Sequence, residues 1–98
     1  MVEKELIQII NKQVDIDLSE DISKNELQQK FTVFINKLIV NDFQRLITIL
    51  YRVDVDELKL KRLLKENAEN NAGEIIANLI IEREIQKIET RKQFGSKK

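Results

Sequence analysis

The sequence predicts an all-α protein, a compact bundle of four to five helices whose last helix is long and two-faced. In 98 residues glycine occurs twice and proline never, although β-sheets with tight turns usually need both. Apolar residues recur every three or four positions through most of the chain, which is the period of a half-buried helix.

Three capping-box patterns mark helix starts, because in each a short polar residue is followed three positions later by glutamate. They are Ser23 with Glu26, Asp54 with Glu57, and Asn71 with Glu74. Each stands just before an apolar-periodic run, so we expect each first residue to cap the helix that follows.

The first two helices are predicted at about Val2 to Gln13 and about Lys24 to Ile39. Their core-facing residues are expected to be Val2, Leu6, Ile9 and Ile10, then Leu27, Phe31, Phe34, Ile35 and Leu38. Between them, residues 14–18 alternate apolar and acidic side chains, as in a strand. We expect an extended connector that places Ile16 and Leu18 in the core; the alternative is a small intermolecular ribbon.

A third helix is predicted from Asp42 to Val53 and a fourth from Val55 to Asn67. The apolar pattern runs through Val40 and Asn41, so the second and third helices could instead form one long, bent helix. In the third helix, apolar residues cover most of the circumference: Phe43, Leu46, Ile47, Leu50 and Tyr51. We expect Phe43 and Tyr51 to be buried.

The last helix, Ala72 to about Gln93, is apolar on two opposite sides, so it must be sandwiched within its own domain or between two copies of the chain. One side carries Ala72, Ile75, Ile76, Leu79 and Ile80; the other carries Ala77, Ile81, Ile85 and Ile88. We expect the second side to form a homodimer interface; the alternative is that the first helix covers it. Gly73→Ala is expected to stabilise the helix by up to about 1 kcal/mol.

The composition excludes several kinds of site. Cysteine and histidine are absent, which removes disulfides, thiolate nucleophiles and imidazole metal ligands or bases. The numerous carboxylates stand at predicted helix starts or on polar faces, so we expect no catalytic residue, no metal site and no cofactor. The N-terminal apolar run is too short for a signal peptide, and no run approaches the length of a membrane span. We therefore expect one cytoplasmic domain over residues 1–98, with residues 94–98 a flexible basic tail.

Basic residues offer an alternative function. A helical nucleic-acid-binding module could use the fourth helix and the C-terminal tail, through Lys59, Arg62, Lys65, Arg91 and Lys92. Because the chain has zero net charge, whereas most nucleic-acid modules are basic, we expect a solvated face instead. Arg83, amid apolar turns, is expected to pair with a carboxylate, Asp42 being one candidate.

The run DFQRLITILYRVDVDELKLKRLL, followed by AGEIIANLIIEREIQKIETR, resembles a group of small uncharacterised bacterial helical proteins over about residues 31–94. The resemblance implies a compact all-helical domain without an assigned activity or catalytic residues. Taken together, the sequence favours a non-enzymatic protein-interaction or assembly module that forms a homodimer or binds another protein.

Overall fold

Five α-helices form the described part of the chain, and α5 is the central one. The computed structural model describes residues 4–67 and 71–95, and side chains as far as residue 93. In chain order the helices are α1 (Lys4–Val14), α2 (Lys24–Asn41), α3 (Phe43–Val53), α4 (Glu57–Glu66) and α5 (Ala72–Gly95). All regular structure in these two ranges is helical, which confirms the predicted all-α bundle with a long last helix.

The two apolar sides of α5 are explained by its position, because it contacts all four other helices. Its most extensive contact is with α2, and α1, α3 and α4 pack around the remaining surface. The buried residues of α5 are Gly73, Ile76, Ala77, Leu79, Ile80, Glu84 and Ile88. The sandwich that the sequence required is therefore built within one chain.

The core between α1, α2, α3 and α5 agrees closely with the predicted stripes. Leu27, Phe31, Ile35 and Leu38 of α2 are buried, as predicted. On α1 the buried residues are Leu6, Ile7, Ile10 and Val14. Ile7 was not expected there, and Ile9 is only partly buried.

The connector between α1 and α2 is extended and attached to α1 by a side-chain amide. Asn11 Nδ2 donates to the Leu18 carbonyl at 3.0 Å, and the Leu18 N–H donates to Asn11 Oδ1 at 2.8 Å. Leu18 is buried and Ile16 packs against the core, which confirms the predicted role of this segment. The amide supplies the two hydrogen bonds that a second strand would otherwise provide.

Asp42 separates α2 from α3, so the two are distinct helices. Its N–H donates to the Leu38 carbonyl at 2.9 Å, and its carboxylate accepts from the Arg45 N–H at 3.2 Å. One residue thus ends the first helix and caps the second. Arg83 pairs instead with Asp54, so the expected carboxylate partner is present, but Asp42, the candidate named for it, was wrong.

Two of the three predicted caps are confirmed and one is corrected. Ser23 accepts from the Glu26 N–H, and Asn71 accepts from the N–H groups of Gly73 and Glu74. Helix α4 is instead capped by Asp56, whose Oδ1 accepts two backbone N–H groups at 3.0 and 3.1 Å. Asp54 ends α3 in the left-handed conformation, with φ 65°, a position that a short polar side chain tolerates.

Gly73 lies against α2, and this contact bears on the expected benefit of alanine there. A Cβ added at Gly73 would overlap the side-chain amide of Asn36 on α2, whose Nδ2 would lie 2.9 Å away. The glycine therefore serves the packing of two helices, and the gain in helix propensity from alanine is opposed by this overlap.

Candidate functional site

The predicted interface on α5 is largely covered within the chain. Ala77 and Ile88 are buried in the core, and Ile81 packs against it. Of the four residues only Ile85 is exposed, at 38% of its surface. The prediction of an open apolar seam was therefore wrong for most of this face, because neighbouring helices of the same chain already occupy it.

A cleft of about 550 Å³ lies between α1 and α5, and it combines four basic side chains with one acid. Helix α1 supplies Ile9, Lys12 and Gln13, and α5 supplies Arg83, Glu84, Lys87, Thr90 and Arg91. Its volume falls within the range of small-molecule sites, roughly 300–1,000 Å³. We call it the α1–α5 cleft.

Glu84 is the one buried charged residue among the described side chains, with 1% of its surface exposed. It stands four residues after Ile80 and four before Ile88, on the face of α5 that is otherwise apolar. Lys87 Nζ lies 3.1 Å from its Oε1, so the charge is paired where it is buried. Since removing one partner of a buried pair is costly, Glu84 and Lys87 form a unit.

The two arginines of the α1–α5 cleft pair with acids at its edges. Arg83 holds the α3–α4 corner through two contacts with Asp54, Nε to the carbonyl at 3.0 Å and Nη2 to Oδ2 at 3.3 Å. Arg91 lies 3.5 Å from Glu5 of α1. Arg83, Lys87 and Arg91 therefore each have an acid partner, which lies on the α3–α4 corner, on α5 and on α1, respectively.

The alternative basic patch is partly neutralised by local acids. Lys59 pairs with Glu82 of α5 at 3.1 Å, and Arg62 pairs with Glu66 at 3.7 Å. Lys65 and Lys92 are exposed on α4 and α5. Residues 97 and 98, the last two bases of the tail, lie outside the described residues, as does the side chain of Phe94. Lys59 and Arg62 thus have local acid partners, as expected for a solvated charged face.

Helix α3 carries an apolar edge that no other helix covers among the described residues. Phe43 is 57% and Tyr51 77% exposed, and the half-buried Ile47 lies between them at the i, i+4, i+8 spacing. The core is served instead by Leu46, Ile49 and Val53. The prediction that Phe43 and Tyr51 are buried was wrong. We call Phe43, Ile47 and Tyr51 the outer stripe of α3.

The two arginines of α3 point away from this stripe. Arg52 Nη1 donates to the Gln13 carbonyl at 2.9 Å and Arg45 Nη2 to the Val14 carbonyl at 3.2 Å, where both satisfy the C-terminal end of α1. The stripe therefore has no charged side chain of its own helix directed across it, and it offers an apolar surface rather than a polar one.

The sequence contained signals for both features that the prediction missed. An acid spaced four residues from isoleucines on either side indicates a charge in the apolar face of a helix, and Glu84 has that spacing. A helix that is apolar around most of its circumference has more apolar surface than one core contact can cover. Helix α3 is of that kind.

In the described residues no three carboxylates come close enough together to hold a metal ion. None of the helices there has the length and apolar character to cross a membrane. Comparison of the chain with protein-family models, curated proteins and solved structures gave no match. The resemblance to a bacterial helical group therefore stays a prediction.

Proposed function

We propose that this chain is a non-enzymatic protein-interaction module that forms a homodimer through the outer stripe of α3. The exposure of Phe43 and Tyr51 is the observation that carries the proposal. Scattered exposed apolar residues are ordinary on protein surfaces, but three on one helical edge form a continuous strip. Aromatic residues are also the side chains most enriched at the centres of interfaces.

A second copy is the partner that the chemistry of the stripe favours. A twofold contact places the same patch on both subunits, so an uncharged apolar strip is self-complementary where a charged one would repel itself. The chain has zero net charge, so long-range repulsion between two copies is small. Val40, 81% exposed at the end of α2, stands three residues before Phe43 in the sequence.

The ion pairs and hydrogen bonds of the acidic side chains support a non-enzymatic role. Glu84, the fully buried carboxylate of the described residues, is held by Lys87 rather than by a second carboxylate that would compete for a proton. The acids at helix starts, Asp42 and Asp56, are occupied by backbone N–H groups. Their hydrogen bonds account for them as structural caps.

Sedimentation velocity at tens of micromolar tests the proposal. Wild-type protein should sediment as a dimer, and Phe43→Glu should give a monomer that keeps its helical circular dichroism. Leu58→Glu is the matched control, because Leu58 is 77% exposed on α4, a helix that does not pack on α3 among the described residues. It should remain dimeric.

The same experiment shows whether α3 or α5 forms the dimer contact. If Ile85→Glu gives a folded monomer while Phe43→Glu stays dimeric, the contact is made by α5 and the α3 proposal fails. A wild-type monomer would end the homodimer hypothesis altogether. For the nucleic-acid alternative we expect no gel shift with duplex DNA or RNA at low salt, where phosphate binding is strongest.

A further inference from the structure

We propose that the α1–α5 cleft binds a phosphate-bearing small molecule. The proposal is independent of the α3 stripe, and it begins with the arrangement of the bases on α5. Arg83, Lys87 and Arg91 follow one another at intervals of four, so they stand in a row along one side of the helix. Lys12 of α1 joins them in the lining of the cleft.

Such a row has a cost for the helix, because like charges four residues apart repel each other. Each base of the row is held by one acid: Arg83 by Asp54, Lys87 by Glu84 and Arg91 by Glu5. Asp54 is exposed on 80% of its side chain and Glu5 on 45%, so water screens both pairs strongly. A bound anion can share these guanidinium groups without breaking a buried contact.

Lys12 adds a positive charge that no acid offsets. It is exposed, and none of the ion pairs among the described residues involves it. With Asp54 and Glu5 at its edges, the cleft holds four bases against three acids, so Lys12 supplies its excess positive charge. An excess of positive charge in a concave site attracts and concentrates anions.

The identity of the bases favours phosphate over a single carboxylate. Guanidinium groups bind phosphate through paired N–H donors, and lysine adds a compact charge. A phosphate presents three oxygens and up to two charges, so it can engage bases from both walls at once. The neutral lining offers the Thr90 hydroxyl and the Gln13 amide for hydrogen bonds, and Ile9 for the carbon part of an ester.

A phosphate titration followed by amide NMR tests the proposal, with sodium chloride adjusted to keep the ionic strength constant. The amide signals of Gln13 and Thr90 should shift and saturate, with a dissociation constant on the order of millimolar. Lys12→Gln should weaken binding about fivefold, the effect of one partly exposed charge. Lys37→Gln, a change of an exposed lysine on α2, should leave the affinity unchanged.

Glu5→Gln separates a ligand site from a set of structural ion pairs. Because Glu5 competes with the ligand for Arg91, its neutralisation should tighten phosphate binding about two- to fivefold. If the bases serve only the fold, no variant will show saturable binding. Shifts that grow linearly with phosphate, or an equal affinity in Lys12→Gln, would overturn the proposal.

The source of the phosphate group is decided by two further probes, glycerol 3-phosphate and phosphatidylcholine vesicles that contain phosphatidic acid. We expect saturable binding of the soluble ester and no sedimentation with the vesicles. Vesicle binding that is lost in Lys12→Gln would support the same site with a lipid headgroup as its ligand. Binding of neither probe by the wild-type protein would overturn the proposal.

Discussion

Helices α2 and α4 both pack on α5, but they do so in different ways. Helix α2 buries Leu27, Phe31 and Ile35 almost completely. Helix α4 has no fully buried residue, and α5 is the one helix of the described residues with which it makes substantial contact. Its Leu60, Leu63 and Leu64 are only half-buried.

The difference shows that a good amphipathic sequence does not guarantee deep burial. Helix α4 is leucine-rich and well capped by Asp56, so its local signals are as strong as those of α2. Among the described residues, no further helix packs on the side of α4 that faces away from α5. Helix α4 is held by half-buried leucines, by the Lys59–Glu82 pair and by the corner that Arg83 binds. We therefore expect α4 to be the less stable part of the molecule.

The largest effect on stability is expected from a substitution in α2, the deeply buried helix of the pair. Phe31→Ala should lower the free energy of unfolding by about 3–5 kcal/mol, because it leaves a cavity in the core. Leu63→Ala on α4 should cost only about 1 kcal/mol, since that side chain is only partly buried. Urea unfolding followed by circular dichroism measures both.

Leu58→Ala is the control for that pair, because Leu58 is 77% exposed on α4 and should change the stability little. Equal losses for Phe31→Ala and Leu63→Ala would show that α4 is as deeply packed as α2. The contrast between the two helices would then be wrong.

An intermediate effect is expected at the crossing of α2 and α5. Gly73→Ala should destabilise the protein by about 1–3 kcal/mol, because the new methyl group overlaps Asn36. Asn36→Ala in the same chain should restore part of that loss, and the two changes should couple in a double-mutant cycle. If Gly73→Ala alone raises the thermal midpoint, helix propensity outweighs the close approach and the crossing is looser than described.

The smallest effects concern the corner before α4. Asp56→Ala should cost about 1 kcal/mol, because it removes the acceptor for two backbone N–H groups. Asp54→Asn should cost less than about 0.5 kcal/mol, since asparagine keeps the left-handed conformation and the lost ion pair with Arg83 is exposed. The reverse order in chemical denaturation would restore Asp54 as the cap of α4.

The sequence predicted the fold well because its signals are local. Caps at Ser23 and Asn71 and the 3.6-residue stripe of α2 depend on neighbours along one helix. The two-sided character of α5 also predicted its sandwiched position, but not which layers would supply the contact. Whether α5 is covered by helices of its own chain or by a second copy depends on how α1 and α2 pack on it. No local pattern along the sequence reports that packing.

The candidate sites were predicted less well, because they depend on contacts between residues that are far apart in the sequence. The α1–α5 cleft joins Lys12 to residues about 70 positions away, and it exists only after the two helices pack. The predicted seam failed at Ala77 and Ile88 because spacing along α5 does not tell a core contact from a contact with a second chain. Phe43 and Tyr51 show the converse error, in which an apolar residue was assumed to be buried.

Native-state hydrogen exchange tests the contrast between α2 and α4 most directly, because it measures the opening free energy of each helix in one experiment. Amides in the interior of α4 should exchange at least about tenfold faster than those in the middle of α2 and α5, through local opening. Amides of α2 and α5 should exchange only through global unfolding. Equal protection in α4 and α5 would contradict the account, since it would mean that the two helices open as one unit.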